Sequence, residues 1–337
     1  VHCADLRRLL LLPATPRPAQ KVESLKACGL KDLAEFAQGF NEKLACELLV
    51  SGNTPADEVL QWAEGVFDQG FVLEPQPRVD MDVVQVSIGS AVIWMQSALD
   101  STQSNSALEI YFQMPGRDTW QWQEDRVRVR VLLDLLEDMM YENLFDELRT
   151  KQQLGYSVGC CTRDSFGVLG FSIYILSAVQ RPPVLMDRIQ QFLREFAQQL
   201  RQWNADKFAS HIVGLAGKWL EPKRTLGEMH ASCWSEISYG YPIFDRTERE
   251  ATVLGSIEPV ELIDLFELRM APGGAGRACI VTAVEPAAVD KLQTAALCQT
   301  VSSTNLAVSL VAGESDFHAK SQFHERRATG VSVDAKK

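Results

Sequence analysis

The sequence predicts an α+β fold, a mostly antiparallel sheet packed by helices, and three observations predict it. Apolar alternation comes in neighbouring pairs, Ala91–Met95 with Ala107–Met114 and Tyr156–Thr162 with Val168–Leu176. Helical periodicity comes in blocks between and after those pairs, not one helix per strand as a doubly wound fold requires. A last alternating segment, Arg277–Val284, closes the order β-β-α-β-β-α-α-α-α-α-β.

The elements follow in order. Leu9 to Leu12 is an apolar run preceded by Arg7 and Arg8 and cut by Pro13. It is far shorter than the ~20 residues of a membrane span, and no small-residue cleavage site follows it. The chain begins at Val1, so its natural N-terminus is expected upstream. Leu33, Phe36, Ala37 and Phe40 share one helix face, Cys46–Val50 is expected as a short strand, and 51–53 as a turn. Thr54, Pro55 and Asp57 make a helix start, with Val59, Ala63, Val66 and Phe67 on one face. This piece is too small to own a core. Glu74–Arg78, with prolines at 75 and 77, reads as an extended linker, and the next unit begins near residue 90.

In Ala107–Met114, Leu108, Ile110, Phe112 and Met114 alternate with Ala107, Glu109, Tyr111 and Gln113, the pattern of a half-buried strand. A long helix is predicted from Trp122 to Arg149, with Leu132, Leu135, Leu136, Met139, Phe145 and Leu148 on its apolar face. Further helices are expected over 184–203, 206–219, 226–239, 247–255 and 259–270, all packed on one side of the sheet, and 273–276 as a loop. Beyond residue 290 the chain is expected to be a flexible tail, since periodicity fades near residue 300.

Composition bounds the function. Lys plus Arg total 33 and Asp plus Glu 44, a net charge of −11. That balance speaks against a nucleic-acid binder and suits basic partners. No segment is apolar enough to span a membrane. The eight cysteines form no C-x-x-C pair and are too sparse for a disulfide scaffold, so reduced thiols in a cytoplasmic compartment are expected. Cys160 and Cys161 are adjacent in a strand and should face opposite ways.

Candidate chemistry is sparse. The five histidines include no pair three to five apart, so neither H-E-x-x-H nor H-x-x-E-H is present. His230, Cys233 and Glu236 could be imagined around a metal, but an ordinary mixed helix face is the expectation; His211 lies on a nearby helix. Gly273–Gly276 lacks the preceding strand and the Lys-Ser/Thr of a phosphate cradle. Asp134, Glu137 and Asp138 read as a solvated acidic helix face. The informative stretch is 145–158, where a helix ends in basic and polar groups, turns at Gly155 and enters a strand at Tyr156. Arg149 and Tyr156 can project from that corner. A planar cation and a phenol could together hold a peptide carbonyl or a developing oxyanion. Spacing alone favours the plainer reading, a helix C-terminal cation with a core tyrosine.

Leu148-Arg149-Thr150-Lys151-Gln152-Gln153-Leu154-Gly155-Tyr156 resembles the L-R-T-K-E-Q-L-G-Y segment of the insulinase–nardilysin class of zinc metallopeptidases, the pitrilysin-like M16 family. Only Gln152 departs, where that family often has Glu. Leu49–Asn53, Ser106–Gln113, Glu221-Pro222-Lys223, Trp234–Ile237 and Phe244-Asp245-Arg246 resemble further family segments in the family's order, so the likeness spans residues 25 to 285.

The resemblance implies the C-terminal, substrate-binding half of a peptidase whose four α+β domains enclose a chamber. It assigns 1–88 to the end of a third domain, 89–290 to a fourth, and leaves 291–337 as tail. It implies that Arg149 and Tyr156 reach the scissile peptide, and that Zn2+ and its H-x-x-E-H motif belong to an N-terminal half, absent from these residues. The implied partners are peptide substrates and that zinc-bearing half, in the same chain or as a separate subunit. The alternative is a non-catalytic binding or scaffold subunit of the same fold.

Overall fold

The computed structural model describes residues 3–40, 46–67, 81–115, 124–239, 243–289 and 291–324. They fall into two units, one from Val1–Thr15, Met81–Leu220 and Glu248–Arg326, the other from Pro16–Asp80, Glu221–Thr247 and Arg327–Lys337.

In chain order the helices are α1 Cys3–Leu11, α2 Pro18–Ala27, α3 Leu30–Gly39, α4 Ala56–Phe67, α5 Glu124–Leu144, α6 Pro182–Gln202, α7 Ala205–Trp219, α8 Leu226–Tyr239, α9 Arg246–Leu254, α10 Pro259–Arg269, α11 Thr294–Ser302 and α12 Glu314–His318. The strands are β1 Val84–Gln85, β2 Ser90–Ser97, β3 Ser106–Gln113, β4 Ser157–Ser165, β5 Val168–Ser177, β6 Ala278–Glu285, β7 Ala307–Leu310 and β8 Gln322–Phe323.

Six strands form one sheet in the order β4-β5-β3-β6-β2-β7. The β4–β5, β5–β3 and β3–β6 ladders are antiparallel, and β2 pairs in parallel with both β6 and β7. The α+β, mostly antiparallel expectation therefore holds. The β4–β5 hairpin turns in two residues. Phe166 and Gly167 have φ of 49° and 93°, the left-handed pair of a tight hairpin whose twist matches its strands.

One sheet face carries Ile93, Leu108, Ile110, Phe112, Phe171, Ile173 and Val281, packed against α5, α6 and α11, with α10 packed on α5 and α6. Phe196 of α6 anchors this core, with ring centroids 5.7 Å from Phe192, 5.4 Å from Phe266 and 6.4 Å from Trp203.

The second face corrects two expectations. β3 is not half-buried, since Glu109, Tyr111 and Gln113 are only 2%, 0% and 3% exposed. The leucines of α1 close over them, so the helices do not all lie on one side. Arg7 Nε donates to Glu109 Oε1 at 2.9 Å, and Ser172 Oγ donates to the same oxygen at 2.7 Å. A carboxylate can occupy this face because α1 brings its counter-charge. Thr282 Oγ1 donates to the Cys3 carbonyl, and burial pushes the Cys3 thiol up to about 12.

The bounds 1–88, 89–290 and 291–337 are those of family domains, and packing groups the residues otherwise. α1 joins the sheet, and so do residues after 290. Leu297 and Val301 of α11 are buried in the main core, β7 extends the sheet, and β8 pairs with β1. The expected tail is thus ordered structure as far as residue 324, because α11 covers sheet that would otherwise face water; residues 325–337 lie outside the described residues.

The other unit contains α2, α3, α4 and α8. Cys46–Val50, expected as a strand, forms none. The α3 face predicted as apolar is exposed, Leu33 at 63% and Phe36 at 66%. The Glu74–Arg78 linker lies outside the described residues.

Candidate functional site

The helix predicted to reach Arg149 changes its winding first. The α-helical part of α5 ends at Leu144, and Phe145–Lys151 is π-helical. The Gln152 amide donates to the Glu147 carbonyl five residues back, and the Leu154 amide to the Leu148 carbonyl six back, both at 3.0 Å. Such widened turns recur at functional sites. Leu148, fully buried, anchors the turn from below. Glu147 ties it from the side, accepting from Gln152 Nε2 at 2.9 Å and Lys151 Nζ at 3.3 Å. The Gln152 bond, with Lys151 beside it, holds the Glu147 carboxyl below its ordinary value.

Gln153 then takes a left-handed φ of 53° and reverses the chain. Gly155 passes so close to β5 that a Cβ would collide with the Leu176 carbonyl. The Tyr156 amide donates to that carbonyl at 3.2 Å, and β4 begins at Ser157. Tyr156 therefore precedes the strand it was expected to open, and the residue is 58% exposed.

Arg149 is half-buried and lies over the Phe145 ring, its guanidinium carbon 5.6 Å from the centroid. Phe145 stacks in turn on Tyr141, with centroids 6.3 Å apart and planes 19° off parallel. Among the described residues Arg149 makes no ion pair or hydrogen bond, and Tyr156 makes none through its side chain. The structure thus sets both on one braced connection without joining them. Five guanidinium donors and one phenol are left for a planar acceptor.

The acidic face of α5 is not simply solvated, as the sequence reading had it. Glu137 accepts from the Thr162 amide of edge strand β4 at 2.7 Å, and burial raises its carboxyl. Burial raises Asp134 as well. Asp138 faces His211 Nδ1 at 2.8 Å and accepts from Lys218 Nζ. These carboxylates, with Tyr141 and Trp219, line an open cleft of about 520 Å³ between α5 and α7.

Among the described residues the donor groups do not fit a zinc centre. His230 Nδ1 lies 2.9 Å from Ser51 Oγ, and Glu236 accepts three bonds from Arg246, so the His230–Cys233–Glu236 set is not assembled. His318 Nε2 lies 3.0 Å from the Leu10 carbonyl. Among the described residues no group of three His, Cys, Asp or Glu could hold a metal ion. At Gly273–Gly276 the amides of Gly274 and Gly276 donate to carbonyls of residues 271 and 268, so they are not free to cradle an anion.

Sequence reasoning found Arg149 and Tyr156 but missed the π-helical turn and the stacked rings. The signal for the rings was present, since residues 141, 145 and 149 recur every four positions. The signal for the winding was not, because no residue type encodes a π turn.

Three comparisons bear on this geometry. Residues 135–234 match the family described as PQQ synthase PqqF-like, C-terminal lobe domain 4. The chain is 30% identical over 275 residues to nardilysin of Homo sapiens, covering 80% of this chain and 23% of that protein. It is 26% identical over 269 residues to a nardilysin-like protein of Arabidopsis thaliana, covering 79% of this chain and 26% of that one. The crystal structure of pitrilysin superposes with a TM-score of 0.76 at 18% identity, covering 96% of this chain and 32% of that one, a likeness of fold. The chain spans about a quarter of the length of these curated relatives.

Proposed function

We propose that this chain, M16 insulinase-like in sequence and fold and matching the C-terminal half of such peptidases, supplies part of a peptide-degrading chamber wall and offers Arg149 and Tyr156 to the substrate. The observation that carries the reading is the braced connection between the π-helical turn and β4. It holds a guanidinium without a carboxylate partner among the described residues, and a tyrosine, Tyr156, that is 58% exposed. Both groups donate hydrogen bonds, and both suit an oxygen that gains charge as a peptide carbonyl is attacked. Preorganisation matters because donors already in place need no rearrangement when charge develops. The rigid strand behind Tyr156 and the buried Leu148 beneath Arg149 provide it.

In this reading hydrolysis belongs to a zinc-bearing N-terminal half, in the same chain or a separate subunit. This chain's residues bind and orient the peptide. The assignment of residues 1–88 to the end of a third domain and 89–290 to a fourth, and a reducing cytoplasmic setting suited to its eight free thiols, are parts of the same proposal.

The test combines the purified chain with a zinc-bearing N-terminal half and measures peptide cleavage. Arg149→Ala is expected to lower kcat by about a hundredfold, the cost of one oxyanion donor, and Tyr156→Phe to lower it in the same direction. Unchanged cleavage in Arg149→Ala removes Arg149 from the reading.

A non-catalytic binding or scaffold subunit is the second reading, motivated by the lack of an H-x-x-E-H motif in these residues. It predicts peptide binding by the chain with no gain in cleavage on mixing.

A further inference from the structure

Among the described residues Arg149 differs from the other cations of its own helix. Arg126 pairs with Asp164 at 2.5 Å and Arg128 with Glu261 at 2.6 Å. Arg130 lies 3.7 Å from Asp134 and 3.5 Å from both Asp164 and Glu250. Lys151, two residues on, pairs with Asp146 at 2.9 Å and Glu147 at 3.3 Å. Arg149 has no such partner among the described residues. Its neighbour is the face of Phe145, itself stacked on Tyr141. The three side chains stand four residues apart on one side of the helix and cross the point where α winding becomes π winding. Both rings are large and open to water, Tyr141 at 43% and Phe145 at 37%, so core packing does not account for them.

The two ways of holding a guanidinium differ chemically. A carboxylate takes its N–H edge and neutralises its charge. An aromatic ring takes its flat face, and the edge donors and the charge stay available. We propose that Tyr141 and Phe145 form an aromatic platform that positions the Arg149 guanidinium by its face and leaves its N–H edge free for a substrate carbonyl. Phe145 and Tyr141 are positioning residues in this scheme. The proposal rests on the reading of Arg149 as substrate-facing.

The test uses the full chain assembled with a zinc-bearing N-terminal half. Phe145→Leu keeps apolar bulk and removes the ring face, and Phe145→Tyr restores it. Phe145→Leu is expected to lower kcat about two- to fivefold, the range of an exposed cation–π contact, with KM held and Phe145→Tyr near the parent rate. In an Arg149→Ala background Phe145→Leu should have no further effect. A second measurement needs no cleavage. In NMR spectra of the full chain the Arg149 Nε–H resonance should be displaced by the Phe145 ring current and return to its ordinary position in Phe145→Leu. A resonance that Phe145→Leu leaves unmoved overturns the platform, as does an equal kcat loss in the Arg149→Ala background. If Arg149→Ala cleaves at the parent rate, the proposed role of Arg149 fails, and the resonance alone decides whether the platform exists.

Discussion

The sheet unit and the helical unit are built from the same kind of helix and end up in opposite states. α6 carries Leu185, Ile189, Phe192, Phe196 and Leu200 along one face, and all five are buried. α3 carries Leu30, Leu33 and Phe36 along one face, with Phe40 at its C-cap, and all four are exposed, Leu30 at 86%. Amphipathicity therefore states that a face wants a partner, not that it has one. α6 has a six-stranded sheet to lie on. The described residues of the other unit contain no strand, so α3 has no such platform. An apolar helix face left open to water is a surface that other chain can cover.

The sharpest test of that contrast is a matched pair of phenylalanines. Phe196→Ala should destabilise the sheet unit by about 3–5 kcal/mol, because the ring leaves a cavity among Phe192, Trp203 and Phe266. Chemical denaturation of the full chain measures it, and a loss below 1 kcal/mol would mean the core is looser than its burial indicates.

Next in size is the second sheet face. Arg7→Ala should cost about 3 kcal/mol by stranding Glu109 without its closest cation, and Glu109→Gln in that background should recover part of the loss. If Arg7→Ala is silent, α1 is not what closes this face.

A smaller effect comes from the Arg128–Glu261 pair between α5 and α10. Hydrogen bonds from Arg128 hold the Glu261 carboxyl below its ordinary value. The unfolded state then binds the proton more readily, so this stability is present above the ordinary Glu range and lost as pH falls below it. Titrated stability of the parent and Glu261→Gln should converge at acid pH. The pair is part-exposed, so the difference at neutral pH should stay within about 1 kcal/mol.

The smallest change in stability is expected from Phe36→Ser, within about 0.5 kcal/mol, because its ring is already in water. Self-association or binding of an apolar dye should nevertheless fall. A loss as large as that of Phe196→Ala would show that the α3 face is covered after all.

Much of this was legible in the chain. The sheet strands expected near 91, 107, 156, 168 and 277 all exist within a few residues, because alternation and helical spacing are local patterns. The adjacent thiols also divide as expected, Cys160 buried and Cys161 part-exposed. The candidate site was half legible. Arg149, Gly155 and Tyr156 stand out by residue type, and Gly155 is explained by the Leu176 carbonyl that leaves no room for a Cβ. The platform under Arg149 was not read, because it depends on which side of a turn three side chains share.

The sequence by itself determined the element types, the α+β class and the corner that carries Arg149 and Tyr156, since these depend on neighbours within a few residues. Only the tertiary structure decided that α1 covers the far side of β3, that residues 294–310 complete the sheet unit, and that Arg149 rests on a ring face rather than a carboxylate. Burial and charge pairing join positions a hundred residues apart, Arg7 to Glu109 among them, and no local pattern records which distant partner arrives.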